Sequence, residues 1–246
     1  MRAASSAQPN TWAVETEDLC KSFGHIIALH KVNIKVPYHR FTTIIGPNGA
    51  GKSTLMRILS TLSRPSSGRV RVESLDVQEW GAEIRRHIGY VTHQLLLYKD
   101  LSVLENLRFF GRMYGITDLE PRIQQLLTRV ELLERQHDIV RTLSRGMQQR
   151  LAIVRAILHN PTILLLDEPY AGLDQHAAEL VTTLLYEWQS SGGTILMTTH
   201  DLTWATEVSN AVLVLLNGCV VYQAETSTLS ERDIRDVYRQ YVGGCK

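Results

Sequence analysis

Gly46-Pro47-Asn48-Gly49-Ala50-Gly51-Lys52-Ser53 is a glycine-rich loop that closes on a lysine and a hydroxyl. Glycines let successive backbone N–H groups turn inward, and a following helix N-terminus favours anions. Such a loop cradles phosphates. Lys52 reaches the terminal phosphates, and the Ser53 hydroxyl can ligate Mg²⁺; Thr54 belongs to the same binding run. Far along the chain, Asp167-Glu168 follows the apolar run Ile163 to Leu166. A carboxylate at the end of a buried strand has the charge to hold a Mg²⁺ hydration shell opposite Ser53. Side chains alternate along a strand, so Glu168 is expected to point away from Asp167, as suits a general base for an attacking water.

These residues need particular elements under them. Phe41 to Ile45 reads as a short β-branched strand ending at Gly46, and Lys52 to Leu62 as a helix, so the loop lies between strand and helix as phosphate binding requires. Val14–Leu19, Ile26–Val36, Val70–Val72 and Ile88–Thr92 read as further strands. The continuous apolar run before Asp167 reads as a strand buried on both faces. From Ser102 to Glu134 the pattern turns helical, with Leu104, Leu107, Phe110, Met113 and Tyr114 in phase and Pro121 near the start of a second helix. Further helices are expected over Gly146–His159, Gln175–Gln189 and from Asp201, with strands at Thr194–Met197 and Ala211–Leu215. Ser230 reads as the N-cap of a charged C-terminal helix.

The expected plan is α/β, a P-loop ATPase core with a mixed sheet, an N-terminal antiparallel β subdomain and an inserted helical subdomain. Residues 1–11 read as a disordered extension, 12–94 and 143–216 as the core, 95–142 as the insertion, and 217–246 as a C-terminal strand and helix. The stripe around Leu104, Leu107 and Phe110 reads mainly as core. Part of it, with Leu95 to Tyr98, can form a groove for a partner's helix.

Composition narrows the partners. The 246 residues carry a formal net charge of +1, with 44% hydrophobic and 21% charged residues, values ordinary for a globular protein. There is no broad basic field for nucleic acid, so none is expected as partner. Cys20, Cys219 and Cys245 form no CxxC or metal cluster, and no run of about 18 apolar residues marks a membrane span. Met1 to Asn10 lacks the apolar core of a secretion signal.

Leu143-Ser144-Arg145-Gly146-Met147-Gln148-Gln149-Arg150, together with the P-loop and Asp167-Glu168, resembles the signature of ATP-binding cassette (ABC) ATPases. The resemblance runs from about Trp12 to Leu216. It implies ATP and Mg²⁺ as cofactors and a homodimer or heterodimer of cassettes in the ATP state. It also implies an integral-membrane permease subunit and a peripheral place on the cytoplasmic face of the membrane. By the same resemblance Phe23 stacks on adenine, Gln94 senses Mg²⁺ and the attacking water, and His200 contacts the γ-phosphate. Ser144 and Gly146 touch the γ-phosphate held by the opposite subunit, and Asp174 lies in the loop crossing the dimer interface. The other eight histidines, His93 included, read as structural or surface residues.

Arg145 and Met147 depart from the commonest Leu-Ser-Gly-Gly-Gln signature, while Ser144 and Gly146 keep its phosphate contacts. The variant is similar to several exporter groups. The stretches Val91 to Leu101, Glu105 to Phe109 and Leu143 to Arg150, with Leu166 to Tyr170, resemble the haem-exporter ATPase of cytochrome c maturation. Drug, polysaccharide and lipid exporters are the alternative. Cassette ATPases of DNA repair or translation usually add coiled coils, zinc sites or a tandem cassette, and a P-loop switch or kinase lacks the signature and His200.

Overall fold

The structure is a computed structural model that describes residues 11–228 and 231–243. Two sheets carry it. The first has four strands in the order β2 (Ile26–Pro37), β1 (Trp12–Phe23), β4 (Ser67–Val72), β5 (Leu75–Asp76), antiparallel throughout. In β2, Val32, Ile34 and Val36 are buried while Lys31, Asn33 and Lys35 between them face water, the alternation of a one-sided sheet.

The second sheet has six strands in the order β10 (Cys219–Glu225), β9 (Ala211–Leu216), β3 (Phe41–Ile45), β8 (Thr194–Thr199), β7 (Ile163–Asp167), β6 (Ile88–Val91). All neighbours are parallel except the β10–β9 pair. Every residue of β3, β7 and β8 is buried, so these strands read as unbroken apolar or Thr-bearing runs. The helices of this layer are α1 (Lys52–Leu59), α2 (Gly81–His87), α5 (Arg145–Ile157), α6 (Gln175–Ser190) and α7 (Leu202–Val208), and α8 (Glu231–Gly243) contacts α7 and β9. Parallel strands place their loops at one end of the sheet, and the loops after β3, β6, β7 and β8 hold the chemistry-bearing residues.

Between β6 and α5 lie α3 (Val103–Met113) and α4 (Leu119–Arg129). A capping box starts α3: the Ser102 hydroxyl accepts from Glu105 N at 3.2 Å, and Ser102 N donates to Glu105 Oε2 at 2.7 Å. Asn106, fully buried, accepts from Tyr98 N at 2.8 Å and donates to Tyr98 O at 2.9 Å. That pair ties the segment after Gln94 to the first turn of α3. Gly115, at φ 70°, turns the chain towards α4.

The first helix ends at Leu59 rather than Leu62, because Ser60 caps it and Thr61 turns left-handed at φ 64°. α2 escapes a periodicity reading, since its seven residues bury only Ile84. Met113 and Tyr114 are in helical phase but exposed at 66% and 38%, so the buried stripe of α3 runs through Leu104, Leu107 and Gly111, with Phe110 half-buried beside it. The N-cap reading of Ser230, and the extension apart from Thr11, fall outside the described residues.

Candidate active site

The loop after β3 is shaped by its glycines. A β-carbon on Gly46 would sit 2.2 Å from Leu215 O, and one on Gly51 2.5 Å from Ala28 O. Gly49 and Gly51 hold φ of 82° and 103°. Pro47, Asn48 and Ala50 complete the turn, closed by Ala50 N donating to Pro47 O at 3.2 Å. Gly51 is the N-cap of α1, so the free N–H groups of that helix open into the loop. Lys52, 7% exposed, donates to Gly46 O at 2.7 Å and Pro47 O at 3.3 Å. Its Nζ lies 3.8 Å from Glu168 Oε1. Burial lowers its pKa, and Glu168 and then Asp167 oppose that shift.

Asp167 closes β7 and is paired across the ladder with Thr198 of β8, whose hydroxyl donates to Asp167 Oδ1 at 2.6 Å. That bond fixes the carboxylate rotamer of a residue only 4% exposed. Glu168 lines the same cavity as Asp167, and strand alternation does not set its direction. It stands past the end of β7 at φ 54°, so a left-handed backbone aims its side chain. Its carboxylate meets His200 Nδ1 at 3.0 Å.

Two cavities adjoin here. One, ≈ 320 Å³, is lined by the run Pro47 to Thr54, by Asp167 and Glu168, and by Ile26, Ile27 and His93. The other, ≈ 310 Å³, is lined by Ser53, Gln94 and Asp167 with Arg57, Tyr90 and His93. A hydroxyl, an amide and a single carboxylate around one cavity suit a hard cation that keeps most of its waters, as Mg²⁺ does. No group of three or more His, Cys, Asp or Glu able to hold a metal occurs among the described residues. The donor set therefore fits Mg²⁺ shared with substrate phosphates, not a closed protein cage.

Ser144, Gly146 and Asp174 are not brought to these cavities. Ser144 is exposed as the N-cap of α5, its hydroxyl accepting from Met147 N at 3.2 Å. Asp174 is the N-cap of α6, accepting from Ala177 N at 2.8 Å. The loop that leads into α6 meets the start of α5, since a β-carbon on Gly146 would lie 3.5 Å from Gly172 O and 3.6 Å from Leu173 Cδ2. Phe23, 54% exposed at the end of β1, lines neither cavity; Lys21 Nζ lies 4.9 Å from its ring.

The family profile described as ABC transporter matches residues 29–171. The chain belongs to the ABC transporter family. It is 33% identical over 226 residues to the Nod factor export ATP-binding protein I of Cupriavidus pinatubonensis, covering 91% of this chain and 70% of that protein. It is 32% identical to a probable sulfate/thiosulfate import ATP-binding protein, CysA, of Chlorella vulgaris, over 92% of this chain and 97% of that one. Among solved structures it superposes on a dimeric ATP-binding cassette in a post-hydrolysis state bound to ADP and Pi. The TM-score is 0.81 at 30% identity, covering 87% of this chain and 98% of that one. The fold is that of an ABC ATPase, and the chain is an ATP-hydrolysing, ATP-binding subunit of this transporter family.

Within this ABC subunit, several residues at the site escape a motif reading. Thr198 orients Asp167 and is legible only as a Thr in a strand paired in parallel with β7. His93 lines both cavities, and Tyr90 lines the second, its hydroxyl kept neutral by burial and by Asp167. Neither carries a sequence signal beyond its place before Gln94.

Proposed function

We propose that two cassettes face head to tail and hydrolyse ATP between them, driving an export-type membrane permease. The observation that supports this most is the division of the site. Lys52, Asp167, Glu168 and His200 converge within one chain, while Ser144, Gly146 and Asp174 stand on a surface away from the cavities. The post-hydrolysis cassette that this chain resembles is a dimer.

In this reading the backbone N–H groups of Gly49 to Ser53 bind the phosphates and Lys52 exchanges its loop carbonyls for phosphate oxygens. Ser53, Gln94 and Asp167 would hold Mg²⁺, which when bound offsets charge on the β- and γ-phosphates. Glu168 polarises the attacking water, and His200, 3.0 Å from its carboxylate, keeps it aimed while reaching the γ-phosphate. Phe23 offers an exposed ring to the adenine. Ser144 and Gly146 of the second copy close on the γ-phosphate from a helix N-terminus. ATP thus holds the copies together, and hydrolysis removes that contact.

Motion reaches the membrane through the Gln94 segment. Tyr98, Phe109 and Phe110 form an aromatic cluster there, with Tyr98–Phe109 centroids 4.9 Å apart. Tyr98 and Phe109 are exposed, and Phe109 lines a cavity of ≈ 580 Å³ with Met113. No helix among the described residues is long and apolar enough to cross a membrane. The permease would supply the spans, with this chain peripheral on the cytoplasmic face, the insertion 95–142 serving as the coupling subdomain.

The cargo reading is haem delivery for cytochrome c maturation. It rests on the Gln94 and signature stretches alone; the relatives named above carry Nod factor export and sulfate/thiosulfate import in their names. Deletion in the native host, read by haem staining of c-type cytochromes, tests it. Loss restored by the parent chain but not by Lys52→Ala supports haem delivery. Normal cytochromes with a defect in drug resistance or surface polymer assign another exporter.

A further inference from the structure

Glu168 occupies the left-handed region at φ 54°. A non-glycine residue there persists only where its surroundings over-determine it. Four elements hold the segment from Glu168 to Tyr170. From β8, Thr198 O accepts from Glu168 N at 3.1 Å. From α5, Gln149 Nε2 donates to Pro169 O at 2.9 Å, with both residues buried. From α7, the Trp204 indole stacks on Tyr170, with centroids 4.3 Å apart and planes within 10°. Thr182 of α6 donates to the hydroxyl of the same tyrosine at 3.1 Å.

Pro169 has no N–H, so its carbonyl is its one backbone hydrogen-bonding group. Gln149 is therefore the polar anchor of the residue directly after Glu168. It also lies one helical turn from Gly146, on the same face of α5. That face runs along the loop from Pro169 to Leu173: the Gly146 end abuts Gly172 and Leu173, and the Gln149 end holds Pro169. Helix α5 thus touches the loop at both ends, joining the Ser144–Gly146 surface to the Glu168 backbone.

We propose that Gln149, backed by the Tyr170–Trp204 stack, is the positioning residue that holds Glu168 over its water and ties it to the signature end of α5. This rests on the reading of Glu168 as the base. Without Gln149 a buried carbonyl is left unpaired and the loop shifts to satisfy it. A displacement of about 1 Å in a reacting group costs on the order of 10²-fold in rate.

The full chain is assayed for kcat, KM, affinity for a fluorescent ATP analogue and melting temperature. Gln149→Leu is expected to lose on the order of 10²-fold in kcat with analogue affinity retained. Trp204→Ala loses kcat at retained affinity, and Trp204→Phe, which keeps a stacking face, recovers it. Glu168→Gln separates the two claims. If it is inactive while Gln149→Leu turns over at the parent rate, the positioning role is wrong and the base stands. If it turns over at the parent rate, the base reading itself fails. Should Gln149→Leu not fold, the Trp204 pair decides: equal kcat in the Ala and Phe variants overturns the proposal. Parallel loss of affinity and kcat in Trp204→Ala reads as structural damage and overturns it too.

Discussion

The glycines of the two motifs are glycines for different reasons. Gly46 and Gly51 are demanded by their own chain: any β-carbon would strike the carbonyls of Leu215 and Ala28, at 2.2 and 2.5 Å. Gly146 is demanded by nothing in its own chain. A β-carbon there meets Gly172 O at 3.5 Å and Leu173 Cδ2 at 3.6 Å, ordinary contact distances, on a backbone whose φ is not positive. The P-loop is a site finished within one fold, its lysine buried and its carboxylate hydrogen-bonded. The signature is an edge whose composition makes sense once another surface approaches it.

Catalysis gives the widest test of that contrast. Glu168→Gln should bind nucleotide normally and lose about 10²–10⁴-fold in turnover, whereas Lys52→Ala should lose nucleotide binding as well. Gly146→Asp should also abolish turnover, but by a different route. It should melt with the parent and bind the nucleotide analogue with parent affinity, because its own chain has room. It should fail to form the ATP-dependent dimer that the Glu168→Gln chain traps on size exclusion, since a carboxylate there repels the γ-phosphate. Gly46→Ala should do the reverse, lowering melting temperature by overpacking worth about 1–3 kcal/mol or more. A Gly146→Asp chain that melts early, or still dimerises with ATP, breaks the distinction between a finished site and an open one.

That distinction also marks how far the sequence could be read. That Pro47 to Thr54 and Asp167 line one cavity was legible, because the phosphate and Mg²⁺ chemistry expected of them needs those residue types together. Their strands were legible as unbroken apolar runs. Glu168 was assigned a direction from strand alternation, yet a single left-handed φ sets it, and no local pattern announces that at a Glu. Gln149 lies inside the signature run, but its contact, like that of Trp204, was not legible, because each reaches a residue about 20 or more positions away through a backbone carbonyl or a ring face. α2 was missed because one buried residue makes no period. Sequence motifs report what touches ligand; what holds those residues in place is settled by long-range packing.

A smaller effect concerns how the open edge is mounted. The far end of α5 is fastened to β6, the edge strand, with Arg155 donating to Tyr90 O at 2.5 Å and His159 Nε2 3.2 Å from Ile88 O. Tyr114 stacks on His159 at 3.8 Å. Burial lowers the His159 pKa to about 4, with Ile88 O opposing and Arg155 and Arg122 adding to the shift. The folded pKa lies below the unfolded value of about 6.5. This contribution is therefore complete above pH of about 6.5 and is lost as pH falls towards 4, in total roughly 3 kcal/mol. Urea midpoints at pH 7 and 5 should differ more for the parent than for His159→Gln. Equal differences would mean that the far end of α5 does not depend on a neutral imidazole.

The smallest effect separates two roles held by one residue. Asp174 caps α6 through Ala177 N, and it follows Gly172 and Leu173, the residues that meet Gly146, in the loop assigned to the second copy. Removing the cap with Asp174→Ala should cost about 1 kcal/mol of stability. Asp174→Asn keeps an oxygen acceptor for Ala177 N, and asparagine caps a helix about as well as aspartate, so it should unfold at nearly the parent urea midpoint. What Asn removes is the charge. If Asp174 works only as a cap, Asp174→Asn should hydrolyse ATP at the parent rate. If it works across the interface, Asp174→Asn should lose ATP-dependent dimer and turnover at unchanged stability. The open-edge reading requires the second result, and a stable, fully active Asp174→Asn chain would return this residue to its own helix.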